Sequence, residues 1–294
     1  AGGKLRFRSD AARIVVRVKV AIAHKIVRSA LTSTMGFDLY VGEGRNAIFR
    51  KVSVFDTDTM EYTAELWNCA EVKMRSFSIN FPLFAQIESV EFGFNDDAKI
   101  ELPNPQNDKY IVAYGTSILH GACANRPGNA YTAILSRYFN CPVLNLGFAG
   151  NAKGEAFMSK AMSEVKEAGL FILDYDANVD AEILSNTLDP FVAKLRTTHP
   201  ETPILLVSCL PFVKDVAEDG SYYSERLQEL DSIHRGVMEK YRALGDKNIH
   251  FISGSTLLGD DPLASSEDGV HPTDHGFALM AAGIAKKIES FRNP

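Results

Sequence analysis

The 294-residue sequence holds no C-x-x-C pair, no G-x-G-x-x-G or G-K-[ST] phosphate cradle and no H-E-x-x-H zinc motif. Its four cysteines, Cys69, Cys123, Cys141 and Cys209, are widely spaced, so zinc-ribbon and redox-dithiol readings have nothing to stand on. Their spacing leaves disulfide pairing open. No apolar run approaches the roughly 18 residues of a membrane span. Positive charge is also scarce: 31 Lys and Arg stand against 37 Asp and Glu, a net charge of −6. That balance argues against nucleic acid or an anionic membrane as partner, since either needs a basic face. The chain starts without methionine or signal peptide, and "KLRFRS" at residues 4–9 already reads as a strand. A processed or trimmed amino terminus is therefore expected, and the compartment cannot be read from it directly.

What is there divides in two. From Leu5 to about Phe94, seven short runs rich in Val, Ile, Phe, Tyr and Thr tend to place apolar residues at every second position. That period predicts antiparallel strands, and so a sandwich or jelly roll over residues 1–102. "ELPNPQNDKY" then changes the texture, and residues 103–108 read as a linker. From 109 to 294, near-continuous apolar runs ("YIVAYG", "PVLNLG", "LFILDY", "PILLVS", "IHFISG") alternate with helical segments. One helix is expected to start at Asp189-Pro190, and another at Pro272. Buried parallel strands crossing over to helices make a doubly wound α/β fold.

Ligands of such folds bind beyond the carboxyl ends of the strands. The segments there carry Ser117, then Gly147 to Asn151, then Asp176-Ala177-Asn178, and finally Asp268-Gly269-Val270-His271. Alone, Ser117 reads as a helix cap or turn residue, Gly147 and Gly150 as turn glycines, Asn178 as a cap and His271 as a residue at a helix entrance. Asp268, His271 and His275 also cluster, but a helix starting at Pro272 leaves His271 outside it and weakens a metal pair. Together on one rim, the residues supply a nucleophile, oxyanion donors and a base held by a carboxylate, the parts of an acyl-transfer site.

These blocks resemble the SGNH (GDSL-like) hydrolase superfamily. "YGTSI" is similar to its serine block, "NLGFAGN" to its glycine block, "LDYDAN" to its asparagine block and "DGVHPTDHG" to its Asp-x-x-His block. "GFDLY" (36–40), "GACANRPG" and "HPTDHGF" resemble the branch in which a G-x-D-L-Y β-domain precedes the hydrolase. Departures are Thr116 in place of the acid of G-D-S, Asp176-Ala177-Asn178 in place of G-x-N-D, and Ala149 before Gly150.

The resemblance implies a flavodoxin-like three-layer α/β/α domain after a jelly-roll-like β-sandwich. It implies a serine esterase with a Ser117/His271/Asp268 triad, an oxyanion hole from Ser117, Gly150 and Asn178, no cofactor and no metal. By analogy the substrate is a small-molecule or oligosaccharide ester, with acetyl on carbohydrate foremost. Alternatives are a lipid or thioester hydrolase, and a silent carbohydrate-binding protein. Export from a bacterial cell is implied by resemblance only. Phe37 or Tyr40 is expected to flank a sugar, the segment 209–222 to form an acceptor-side wall, Asp38 to tie a turn, and Gly36 to supply an unusual backbone angle.

Overall fold

Alternating burial shapes the amino-terminal half. The computed structural model describes residues 1–23, 28–217 and 224–292. Strands β1 (Lys4–Ser9), β2 (Arg13–Ile22), β3 (Asp38–Val41), β4 (Ile48–Val52), β5 (Glu61–Asn68), β6 (Arg75–Asn80), β7 (Gln86–Phe94) and β8 (Ile100–Glu101) form two antiparallel sheets. Their orders are β4-β3-β6-β1-β8 and β5-β2-β7. In β2, Ile14, Val16, Val18 and Val20 are buried while Arg13, Arg17 and Lys19 face water. That side packs with Phe7, Leu39, Phe77 and Ile79 of the other sheet in one core, which makes a sandwich. The two-residue β8 is an eighth strand, too short to leave a period in the sequence. A four-residue helix, α1 (Leu31–Thr34), precedes β3.

The second half is a parallel sheet of β9 (Tyr110–Gly115), β10 (Val143–Gly147), β11 (Ala168–Asp174), β12 (Ile204–Val207) and β13 (Ile249–Ile252), in the order β10-β9-β11-β12-β13. This is the flavodoxin-like order, with its switch point at β9 and β11. Every residue of β12 is buried, as both faces are covered by helices. The helices are α2 (Ser117–His120), α3 (Tyr131–Phe139), α4 (Ala156–Ser163), α5 (Ala181–Arg196), α6 (Glu225–Ala243) and α7 (Asp274–Arg292). Helix α3 packs on α7, while α4, α5 and α6 pack in succession.

Two helix starts differ from expectation. Helix α5 begins at Ala181, capped by Asp180, whose carboxylate accepts the Ile183 N–H at 2.8 Å. Pro190 therefore lies inside the helix. It removes one intrahelical bond, to the carbonyl four residues back, and both Pro190 and Asn186 are exposed, so water can take that carbonyl. Helix α7 starts at Asp274 rather than Pro272. The Thr273 hydroxyl accepts the Gly276 N–H, and Pro272 instead bridges to Ser266 in a small hairpin.

The "GFDLY" strand joins the halves. Leu39 and Phe37 point into the sandwich core, whereas Asp38 and Tyr40 share the opposite face. Asp38, fully buried, accepts from the Asn80 amide at 2.7 Å, the Arg126 guanidinium at 3.0 Å and the Gly128 N–H at 2.8 Å. A side chain at Gly128 would strike Asp38 and the Tyr40 hydroxyl. The turn that Asp38 ties thus lies across the sequence, at 126–128. Phe37 and Tyr40, at 0% and 3% exposure, cannot flank a sugar. Gly36 keeps an ordinary φ, and its need is space: a Cβ there would lie 2.4 Å from the Thr32 carbonyl oxygen. Leu83 enters the α/β core, and its carbonyl accepts from His120 Nε2 at 2.6 Å. Burial holds the His120 imidazole down to about 4, so it is neutral.

Candidate active site

The segments beyond the carboxyl ends of the strands meet at one rim. Ser117 opens α2 directly after β9, but it does not cap the helix. Thr116 does, its hydroxyl accepting the Ile118 N–H at 3.2 Å. The Ser117 hydroxyl is left free to face His271, with Oγ 2.8 Å from Nε2. On the other side of the ring, Nδ1 lies 2.9 Å from Asp268 Oδ2.

The Asp-x-x-His spacing has a local cause. Asp268 Oδ1 accepts the N–H groups of Val270 at 3.0 Å and His271 at 2.8 Å, which curls the loop and leaves Oδ2 against the ring. The Gly269 carbonyl takes the Val213 N–H, and Glu267 N–H donates to the His271 carbonyl, anchoring both ends of the turn. Burial pushes the Asp268 carboxyl upward. The His271 backbone N–H, the His271 ring and the Val270 N–H outweigh that and bring it down to about 2.

Gly150 and Asn178 lie on the same cleft as Ser117 and His271. Gly150 has φ +71°, and a side chain there would meet no atom within 4 Å, so its need is conformational. Among the described residues, neither the Ser117 nor the Gly150 N–H meets an acceptor. Asn178 does not cap α5, since Asp180 does. Its Nδ2 makes only a long 3.5 Å contact with the Phe148 carbonyl. These donors are available to a ligand.

The cleft measures roughly 400 Å³, and Ile118, Ala122, Ala149 and Val270 give it an apolar lining. Three further residues there escape sequence reasoning. Phe84 reaches in from the β half and stacks on His120 at 4.0 Å. Arg28 donates to Asp268 Oδ2 at 2.9 Å from a position 67% exposed. Cys123 borders both Asp268 and His271, and its φ of +72° is rare outside glycine. No local pattern announces Arg28 or Phe84, which act across the chain. Cys123 lies within the "GACANRPG" block, on the loop that follows α2.

One group of metal-ligand spacing occurs among the described residues: Cys123, Asp268 and His271. His275, the third member of the cluster seen in the sequence, is exposed and does not belong to it. All four cysteines are free thiols. In the 209–222 segment, residues 218–222 lie outside the described residues, and Val213 contacts the His271 loop. No helix among the described residues is long and apolar enough to cross a membrane.

The rim of the flavodoxin-like sheet thus carries Ser117, His271 and Asp268 in line. Residues 108–289 match the GDSL-like lipase/acylhydrolase family, and residues 1–100 match the N-terminus of SGNH-hydrolase-type esterases. The chain belongs to the GDSL-like lipase/acylhydrolase family and is an ester-hydrolysing enzyme. Its fold is similar to that of a Bacteroides ovatus protein assigned to the GDSL-like lipases, with 28% identity and a TM-score of 0.89 over 99% of this chain and 85% of that one. A salicylyl-acyltransferase of a tetracycline biosynthetic pathway shares the fold at 18% identity and a TM-score of 0.78, covering 99% of this chain and 83% of its own. So does a family two carbohydrate esterase from Clostridium thermocellum, solved with cellohexaose, at 15% and 0.67, covering 99% and 92%. No curated protein matches the sequence.

Proposed function

We propose that the protein is a serine esterase that removes short acyl groups, acetyl foremost, from carbohydrate. The observation that carries the reading is the line from Ser117 Oγ to His271 Nε2 at 2.8 Å and from Nδ1 to Asp268 at 2.9 Å. His271 takes the Ser117 proton as Oγ attacks the ester carbonyl. The tetrahedral oxyanion meets the Ser117 and Gly150 N–H groups and the Asn178 amide. Collapse expels the alcohol with the proton from His271, leaving an acyl-serine. Water, deprotonated by His271, then releases the acid and restores Ser117. Asp268 stays ionised and holds the ring throughout.

The small apolar cleft supports a short acyl group, and its open mouth supports a bulky alcohol. The carbohydrate part rests on the family two carbohydrate esterases, which share both halves of the fold. We take 1–102, 103–108 and 109–294 as its sandwich, linker and hydrolase segments, and an exported setting as the one that fits a carbohydrate substrate. The test is a chain-length series of chromogenic esters followed by acetylated oligosaccharides. Acetyl esters should turn over fastest; a preference for long acyl chains would favour a lipid hydrolase instead.

Removal of one oxyanion donor gives a graded prediction. Asn178→Ala should lower kcat by roughly 10²–10³-fold with little change in KM. A wild-type kcat on the same ester would remove Asn178 from the hole.

The pH profile separates base from carboxylate. A histidine base must be unprotonated to accept the Ser117 proton, so the rate should fall as the solution is made acidic. Asp268, held at about 2, remains charged through that fall. Its folded value lies below its unfolded one, so its contribution to stability is full above roughly pH 4 and is lost only as pH drops further. A rate that stays level from about pH 5 to 8 would rule out a histidine base.

A further inference from the structure

Cys123 has no part in the acyl-transfer chemistry, yet the fold holds it against the two residues that do. Asn140 is the other non-glycine residue with positive φ among those described, and it ends helix α3. Cys123 ends no helix. Its N–H is fixed by the Ser29 hydroxyl of the β half at 3.0 Å, and its side chain is 6% exposed at the cleft wall. Its sulfur, a ring nitrogen of His271 and a carboxylate oxygen of Asp268 all lie within 4.8 Å of one another.

The geometry points to a site for a thiophilic divalent cation, of the Zn²⁺ type, held by Cys123, His271 and Asp268 with one position open to the cleft. Zinc bonds of about 2.0–2.3 Å in a tetrahedron put ligand atoms about 3.3–3.8 Å apart, so small side-chain movements suffice. The thiolate selects zinc over magnesium or calcium, which prefer oxygen donors. Burial first, and the Asp268 charge second, push the Cys123 thiol up to about 11, so without metal it keeps its proton. Binding then replaces that proton: the S–H bond breaks, a sulfur–metal bond forms and H⁺ leaves to solvent. Arg28 opposes the added charge, but it is 67% exposed and has room to leave Asp268.

Occupancy stops catalysis whichever ring nitrogen is used. A cation on Nε2 blocks it, and a cation on Nδ1 leaves the remaining proton on Nε2, so neither form can accept the Ser117 proton. That inhibition rests on the esterase reading; the binding itself does not.

Binding is therefore tested apart from activity, with Co²⁺ as probe on the full chain. Wild type and Cys69→Ser should develop a thiolate-to-cobalt charge-transfer band in the near ultraviolet, displaced by Zn²⁺. Cys123→Ser should lack it, as should Cys123→Gly, which suits the positive φ and guards against misfolding of the first variant. In ester hydrolysis, Zn²⁺ should inhibit wild type reversibly to chelation. At least ~10-fold more should be needed in either Cys123 variant, each referred to its own metal-free rate. A wild-type protein without the band, a band that survives loss of Cys123, or equal zinc sensitivity overturns the site. A chain that shows the band but hydrolyses no ester keeps the site and loses the esterase reading.

Discussion

Ser117→Ala is expected to lower kcat on an acetyl ester by roughly 10⁵–10⁶-fold, with the folded state intact. The hydroxyl it removes carries no structural duty: Thr116 caps α2, and His271 is held from behind by Asp268. Stability should therefore stay within ~0.5 kcal/mol of wild type, as for a surface change away from a packed core. His271→Ala should cost about as much, because a nucleophile without a base and a base without a nucleophile are equally idle. The double variant should lose little more than either single one, since the two residues act as a unit. What remains is stabilisation by the Gly150 and Asn178 donors and by binding. The measurement is turnover of a chromogenic acetyl ester, with circular dichroism on each variant. Equal rates in wild type and folded Ser117→Ala would mean that the observed hydrolysis is nonspecific, and a carbohydrate-binding protein would become the better reading.

The parallel sheet was legible because its strands are buried on both faces. Ile111 to Tyr114 and Ile204 to Val207 are unbroken apolar runs, buried at every position. Ser117, Gly150 and Asn178 each come within a few residues of a strand end, whereas His271 closes a much longer loop after β13. What failed was local chemistry with two readings. Pro190 looked like a helix start, yet it sits in mid-helix because Leu184, Leu188, Phe191, Val192 and Leu195 bury one stripe across it. Serine and threonine are both good caps, so residues 116 and 117 could not be ranked by type; the structure gives the cap to Thr116.

Contributions from far along the chain left no trace. Arg28 meets Asp268 across 240 residues, and Phe84 joins the cleft from the sandwich. A strand of a two-layer sandwich ordinarily keeps one face in water, which would leave Tyr40 free to flank a sugar. Strand β3 does not, since residues 126–128 of the other half cover that face. Burial of both faces is a property of the assembled chain, and a period-two pattern cannot report it.

The same contact gives the largest stability prediction. Asp38→Ala should lower unfolding free energy by about 3–5 kcal/mol, the usual cost of removing one partner from a buried ion pair. Asp38 is 0% exposed and satisfies three donors at once: Asn80, Arg126 and the Gly128 N–H. Without it, Arg126 keeps its charge in a site that is only 20% open, against the rings of Phe49 and Tyr40. The Asn80 amide and the Gly128 N–H lose acceptors that water cannot easily replace. Asp38→Asn should cost less, because its oxygen can still accept while its amide faces donors. Arg126→Ala should also cost about 3–5 kcal/mol, because it leaves the fully buried Asp38 carboxylate with only two neutral donors, the Asn80 amide and the Gly128 N–H. The check is denaturant unfolding, read as a shift in midpoint at unchanged slope. If Asp38→Ala unfolded within ~0.5 kcal/mol of wild type, the carboxylate would not be what holds β3 to the 126–128 turn. A change in slope, or a second transition, would instead mean that the two halves had uncoupled, with Asp38 as the tie between them.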